Sequence, residues 1–334
     1  GYGAIRRAAA RLARDFAGLP GDFRERLAAL QKAGVVPASL SAFARGELGA
    51  FDSGQPAAGA GQGAVALGGG SDFYVRNPEP DPGIPFAFLG RDPGLVGIRA
   101  RADGLEIGAA TSEHDFFSDA RVRALVPGIE AFEAEIASSL IRNRATVGGN
   151  AVNASPVADL VAILIALGAE ARIRGKGGER ALPLERLYIG YKKLDLAEGE
   201  IVASFRLPQA KGRRLFNFEK ISKRQRLDIA SVNTAIQIEA EGDKKAPRIV
   251  SARVSAGGVA PVPLYLEAAS SFLEGKKVDA STAREASRLA VEASSPIDDV
   301  RGSADYRKRL LGRLMLAHFI RLFPETGIAE ELFP

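Results

Sequence analysis

Apolar positions first recur at three-to-four spacing. Ile5, Ala8, Ala9, Leu12 and Phe16 form one series and Phe23, Leu27, Leu30 and Val35 another, which predicts helices across residues 4–46. From Asp52 to Gly63 the pattern dissolves into Gly, Ala, Pro and Gln and reads as a linker. Ala64–Leu67 is a short apolar run entering a glycine turn, and Gly104–Ala109 reads as a strand, with Thr111 placed to cap a helix whose first turn holds Glu113 and His114. Val157, Leu160, Val161, Leu164, Ile165 and Leu167 make a helix apolar nearly all round, so it is expected to be buried. Ser155 stands as its N-cap, Pro156 at its first position, Asp159 in its first turn and Gly168 at its end. Glu170–Arg174 and Arg180–Leu184 flank Lys176-Gly177-Gly178 as a hairpin, and Ile201–Leu207 is a strand ending at Pro208. Past Lys211, strands at Leu215–Ile221, Ala230–Glu239 and Ile249–Ala256 precede helices near 265–274, 281–293 and 303–322. Strands followed by helices in one block indicate a separate α+β domain, with its boundary near 208–214.

Two glycine-rich turns interrupt this pattern. Leu67-Gly68-Gly69-Gly70-Ser71-Asp72 is the first, and Thr146-Val147-Gly148-Gly149-Asn150 through Asn153, Ser155 and Pro156 the second. Each joins apolar sequence to a helix-compatible segment and is rich in unhindered amides and small polar side chains. Such turns can hold a pyrophosphate without a metal. Two of them suggest an extended dinucleotide clasped from two sides, a flavin dinucleotide. The plainer alternatives are a tight strand-to-helix bend for the first and an Asx-turn and capping network for the second. Phe218-Glu219-Lys220-Ile221-Ser222 and Arg226-Leu227-Asp228-Ile229-Ala230 form a third polar cluster, in which Lys220 and Asp228 also read as a structural ion pair. Arg142-Asn143-Arg144 also fits a solvated turn.

Composition narrows the chemistry. The 334 residues suffice for two or three domains, and 46% hydrophobic with 25% charged residues is ordinary for a globular protein. No cysteine is present, so this sequence holds no disulfide, thiolate metal site or cysteine nucleophile, and two histidines, His114 and His318, do not suggest a metal site. No apolar run approaches the ~20 residues of a membrane span, and no signal peptide is visible, so the expected location is cytoplasmic. The net charge of +5 is mild. Basic residues cluster between Arg213 and Arg226, but no nucleic-acid motif accompanies them, and a solvated face or phosphate-facing edge is expected there. Gly61-Gln62-Gly63-Ala64-Val65-Ala66 matches a loose dinucleotide fingerprint but precedes a strand instead of coming after one. No P-loop and no nucleophile elbow occurs. The sole methionine is Met315, so the chain is expected to be a piece of a longer protein or a processed product.

In order, these segments resemble the FAD-binding subunit of the molybdenum hydroxylases, the family of xanthine dehydrogenase and aerobic carbon monoxide dehydrogenase. Gly68-Gly69-Gly70-Ser71-Asp72-Phe73 is similar to the family's A-G-G-T-D-L loop. Ile141-Arg142-Asn143 through Thr146-Val147-Gly148-Gly149-Asn150 and Ala154-Ser155-Pro156 to Asp159 resembles its I-R-N-x-x-T-I-G-G-N-x-x-x-A-S-P-x-x-D segment. Phe218-Glu219-Lys220-Ile221-Ser222 with Asp228-Ile229-Ala230 fits a third motif, Y-E-K-x-S-x-R-x-x-x-D-I-A, with the basic residues shifted at Lys223-Arg224. Asp299-Val300-Arg301-Gly302-Ser303-Ala304-Asp305-Tyr306-Arg307 is similar to the closing D-x-R-A-S-x-x-Y-R, Gly302 replacing alanine. Gly1-Tyr2-Gly3-Ala4-Ile5-Arg6-Arg7-Ala8 resembles the stretch just past the last cysteines of the family's two-iron two-sulfur domain. The absence of a cysteine insertion argues against the benzoyl-CoA-reducing branch.

The resemblance implies an α+β fold: a two-lobed FAD-binding domain of the vanillyl-alcohol-oxidase/PCMH type over 56–210, then the flavoprotein C-terminal domain over 211–334. Residues 1–55 would be a helical connector from a missing iron–sulfur domain. It implies FAD in this chain, and iron–sulfur clusters and molybdopterin in the missing domain and a partner large subunit. Electrons would pass from the clusters through FAD to NAD in a xanthine dehydrogenase-like complex, with no nucleic-acid or membrane partner. On this resemblance, Leu67, Gly68, Gly69, Gly70, Ser71, Thr146, Gly149 and Asn150 form the pyrophosphate loops, with Asn153 beside them. Asp72 fixes the first loop through backbone amides, and Ser155 and Asp159 take polar adenosine or ribityl atoms. Ile136, Ile201 and Val202 are apolar neighbours of the ring system, and Lys220 and Asp228 border the isoalloxazine. No catalytic acid, base or metal ligand is expected. The rival readings are a flavin-free assembly module and a stand-alone flavin oxidase.

Overall fold

The computed structural model describes residues 2–15, 18, 20–36, 64–81, 83–210 and 212–333. The chain divides into two compact units, Gly1–Gln55 and Pro56–Pro334. In the first, the three-to-four pattern gives α1 (Tyr2–Asp15) and α2 (Phe23–Lys32). The expected helical continuation over 37–46, and the whole 52–63 linker with Gly61-Gln62-Gly63, lie outside the described residues.

The second unit opens with β1 (Val65–Leu67), α3 (Phe73–Arg76) and β2 (Phe86–Phe88), β1 and β2 pairing in parallel. Next come β3 (Ile98–Arg101), β4 (Gly104–Gly108), α4 (Glu113–Ser118), α5 (Ala120–Leu125), α6 (Ser139–Arg142), α7 (Val147–Val152) and α8 (Asp159–Ala166). The hairpin appears as β5 (Glu170–Gly175) and β6 (Gly178–Pro183), followed by the small pair β7 (Tyr188–Gly190) and β8 (Lys193–Leu194) and then β9 (Ile201–Pro208). Five of these strands form an antiparallel sheet ordered β3-β4-β9-β5-β6. A second antiparallel sheet, ordered by sequence, contains β10 (Arg213–Ile221), β11 (Val232–Glu241), β12 (Arg248–Gly257) and β13 (Leu264–Tyr265). Helices α9 (Glu267–Leu273), α10 (Ala280–Glu292), α11 (Ala304–Leu322) and the short α12 (Ile328–Leu332) complete this half, with α9 against β12 and α11 against β10 and β11. The strands-then-helices order thus gives the expected α+β layer, whose core joins Ile236, Ile238 and Val254 to Leu311, Met315 and Phe319.

The apolar helix α8 explains how the halves cohere. Every residue from Leu160 to Ala166 is buried, because α8 belongs to the first half yet packs on β11 and β12 of the second. Each fully buried Leu or Ile there contributes about 1.5–3 kcal/mol. Polar contacts lock the seam. Ser255 Oγ–H donates to the Ala162 carbonyl at 2.6 Å. Arg253 donates to the Ile165 carbonyl and to Glu185, its guanidinium 4.3 Å from the Tyr265 ring centroid.

Two capping expectations are corrected. Helix α8 begins at Asp159 with Ala158 as its uncapped N-cap, so Ser155 and Pro156 lie in the turn before it. Ser112, not Thr111, caps α4 by accepting the Asp115 N–H, while Thr111 Oγ1 bonds the Gly97 backbone instead. Among the described residues no helix is long and apolar enough to cross a membrane.

Candidate cofactor site

The two glycine turns meet. A Cβ at Gly68 would stand 2.5 Å from Thr146 Oγ1, and one at Gly69 would overlap the Arg144 carbonyl. Gly70 has φ +75° with the Tyr74 ring closing over it, a conformation open to glycine. The glycines are therefore what lets the loops close on each other. At Gly69, Gly70 and Ser71 no backbone amide donates to an acceptor among the described residues.

The second turn is built differently: it is itself the short helix α7. Thr146 Oγ1 accepts the Gly149 N–H at 3.0 Å, and Val147 and Gly148 donate to the Thr111 and Ala109 carbonyls. The Asn150 N–H continues the helix by donating to Thr146. The amides expected to bind phosphate at Gly149 and Asn150 are thus already satisfied, and Thr146 is a cap. Free backbone donors come from the first loop, and the second offers the Asn150 side chain.

Beside the loops a cleft of about 1090 Å³ opens, large enough for a dinucleotide. It brings together Ser71, Asp72, Ile136, Asn150, Asn153, Ser155, Asp159 and Asp228 from the residues singled out by sequence. Leu67, Gly68, Gly69, Gly70, Thr146 and Gly149 do not line it. Ile201 packs instead with Leu95, Ala110 and Ala203, and Val202 faces the main core, because alternate residues of β9 point into packed layers. Neither borders the cleft.

The charged residues are paired in ways the sequence order concealed. Lys220 does not meet Asp228. Its Nζ donates to Asp159 Oδ2 and to the Glu135 carbonyl, both at 2.7 Å. Asn233 Nδ2–H donates to the other Asp159 oxygen at 2.6 Å. Burial lifts the Asp159 carboxyl above the usual range, with Lys220 and Asn233 opposing it. Asp228 accepts the Arg224 and Ile229 N–H groups, and the Arg224 bonds hold its carboxyl below the usual range. Asp72 pairs with Arg76 at 2.8 Å instead of fixing the loop through amides. Asn153 Oδ1 accepts from Arg76 and Lys192. Ser155 Oγ is left with one long contact, 3.5 Å from the Val157 nitrogen.

Three features escaped the sequence reading. Glu113, a first-turn acid, reads as helix-terminus chemistry, yet it lines the cleft while 2% exposed. Burial pushes its carboxyl up to about 7, and Asn150 hydrogen-bonds it. Arg142 is no solvated turn residue: it donates to Glu133 and to the Ile136 and Ala137 carbonyls. The basic run is not one face, since Arg214 and Lys220 are buried among carbonyls and carboxylates.

These residues fit a flavin dinucleotide. The first-loop amides lack acceptors among the described residues, the glycines leave no room for a Cβ, and Asn150 Oδ1 is buried without a partner. Among the described residues no cluster of metal-ligating side chains occurs.

Two apposed glycine turns beside a cleft, on a lobe seated against an α+β layer, define a flavin-dinucleotide-binding protein. A family model described as the FAD binding domain in molybdopterin dehydrogenase matches residues 61–210, and the CO dehydrogenase flavoprotein C-terminal domain matches 218–322. The carbon monoxide dehydrogenase medium chain of Hydrogenophaga pseudoflava is 30% identical over 227 residues, spanning 68% of this chain and 77% of that one. Xanthine dehydrogenase 1 of Arabidopsis thaliana is 28% identical over 247 residues, 69% of this chain but 18% of that much longer protein. The solved carbon monoxide dehydrogenase from Hydrogenophaga pseudoflava superposes with a TM-score of 0.70 at 29% identity, covering 77% of this chain and 88% of its counterpart. The chain belongs to the FAD-binding subunits of the molybdenum hydroxylase family.

Proposed function

We propose that this chain is the electron-transferring FAD module of a molybdenum hydroxylase complex, with NAD as its acceptor. The observation that carries the reading is the pair of glycine turns, closed on each other and presenting unsatisfied amides beside a dinucleotide-sized cleft. Bound there, FAD supplies the capacity to accept and release electrons one or two at a time. The chain binds, orients and tunes. Gly69, Gly70 and Ser71 offer amides to the pyrophosphate, Asn150 and Ser155 offer polar side chains, and Ile136 offers apolar surface. The Lys220–Asp159 pair holds one positive and one negative charge under the cleft wall at 2.7 Å.

A molybdopterin-binding large subunit and a two-iron two-sulfur domain are the proposed partners. Residues 1–55 form the proposed connector, 56–210 the FAD-binding domain and 211–334 the C-terminal domain, working in the cytoplasm. The similarity to carbon monoxide dehydrogenase medium chains supports that type of complex. The xanthine dehydrogenase type is supported by Gly1-Tyr2-Gly3-Ala4-Ile5-Arg6-Arg7-Ala8 and by the similarity to xanthine dehydrogenase 1.

The test is the visible spectrum of the purified chain, followed by identification of any flavin released by heat. Bound FAD bleached anaerobically by NADH is the expected result. FAD indifferent to NADH would remove NAD as acceptor. A chain that takes up no FAD would leave the assembly-module reading.

A further inference from the structure

Glu113 joins α4 to the second glycine segment at two points. Its N–H donates to the Ala145 carbonyl at 2.9 Å, and its Oε1 accepts from Asn150 Nδ2–H at 2.8 Å. Asn150 Oδ1, on the other side of that amide, is buried with no donor. Both residues line the cleft. The pair is therefore half satisfied: one amide hydrogen is committed to the carboxylate and the amide oxygen has nothing.

The surroundings do not supply a cation to Glu113. From α6, Arg142 exerts a stabilising field, but its hydrogen bonds go to Glu133 and to the Ile136 and Ala137 carbonyls. His114, next along α4, is bonded to the same Glu133 at 2.8 Å. From α8, Asp159 repels, its own charge countered by Lys220 of β10. Burial is the largest influence and brings the Glu113 carboxyl to about 7.

A neutral Glu113 resolves the arrangement. Its O–H can donate to Oδ1 of a turned Asn150 amide, which fills the orphaned acceptor and releases Nδ2–H. A pyrophosphate in the cleft is an acceptor for that N–H and repels an ionised carboxylate. Both effects favour the protonated acid when the ligand is present. We propose that Glu113 is a positioning residue that takes up a proton when an anionic dinucleotide enters the cleft, acting through the orientation of Asn150. The inference rests on the flavin-dinucleotide reading and adds a proton to it. By linkage, affinity is then highest below neutrality and falls as pH rises through the neutral range.

The experiment measures the dissociation constant of FAD for the full chain by flavin fluorescence at about pH 6 and about pH 8.5. Calorimetry near neutrality, in two buffers of different ionisation enthalpy, counts the protons exchanged. The expected result is proton uptake and binding roughly tenfold tighter at the lower pH, the size of one charge interaction in a partly screened cleft. Glu113→Gln is neutral throughout, and is expected to bind at about pH 8.5 as tightly as wild type at about pH 6, with no slope. A gain in affinity is not what a damaged fold produces, and the wild-type proton count needs no variant. Proton release, a flat wild-type profile, or an unchanged slope in Glu113→Gln would overturn the proposal alone. No FAD uptake at any pH would overturn the flavin reading and this inference with it.

Discussion

Replacing Lys220 by alanine isolates the buried ion pair beneath the cleft. The side chains of Lys220 and Asp159 are 5% and 12% exposed, so the aspartate left behind is poorly hydrated. Stranding a buried charge costs about 3–5 kcal/mol. Asp159 has a second course: it can take a proton. From an unfolded value near 3.9, that route costs about 1.4 kcal/mol per pH unit, hence about 5–6 kcal/mol at pH 8 but only about 1.5 kcal/mol at pH 5. The cheaper route governs. Lys220→Ala is therefore expected to lose about 3–5 kcal/mol at pH 8 and about 1.5 kcal/mol at pH 5. The sign comes from a carboxyl whose folded value lies above its unfolded one, which regains stability as pH falls. Denaturant titrations at the two pH values, on the single variant and on Lys220→Ala/Asp159→Asn, read this directly. The double variant should recover most of the loss at pH 8. Equal losses at both pH values, or a double variant no better than the single, would refute the buried-pair account.

Gly69→Ala places a methyl on the Arg144 carbonyl, so the loops must part; FAD retention is expected to be lost while far-UV circular dichroism is unchanged, and stoichiometric FAD in the variant would contradict the apposition. His318 is fully buried, its Nδ1 accepting from Asn217 and its Nε2–H donating to Thr234 Oγ1, and burial lowers its value to about 3. Since the unfolded histidine takes its proton near 6.5, wild type loses stability as pH falls below that point, by up to about 1.4 kcal/mol per unit. The difference between wild type and His318→Gln should shrink correspondingly from pH 7 to pH 5, and a constant difference in urea midpoints would exclude the histidine as its source.

The elements with strong local patterns were legible in advance. The hairpin at 170–184, the strand ending at Pro208 and the strands-then-helices order after 211 all appear, since alternation and helical spacing survive whatever packs on them. Boundaries near polar turns were not. Thr111 and Ser112 are equally good caps by composition, and only the Gly97 backbone, brought alongside, decides which hydroxyl is free. The segment Thr146–Val152 looks like loop because glycines weaken helix propensity, yet the Ala109 and Thr111 carbonyls and the Thr146 hydroxyl hold its first turn.

The candidate site divides along the same line. Which residue types could hold a dinucleotide was written in the sequence, because glycine leaves backbone amides unhindered and small polar residues add donors at a strand-to-helix junction. Which atoms remain available was not, since availability is what is left after long-range partners have been served. The α7 amides are consumed by carbonyls up to about 40 residues away, whereas the first-loop amides are not. Lys220 meets Asp159 across 61 positions instead of Asp228 across eight, because β10 pairs Lys220 with Asn233 of β11, and β11 packs on α8 and brings both side chains to its first turn. Glu113 becomes a buried acid only once Asn150 lies over it, 37 residues distant in sequence. Local pattern determines elements through short-range sterics and hydration, and pairing and burial of charge wait for the tertiary fold.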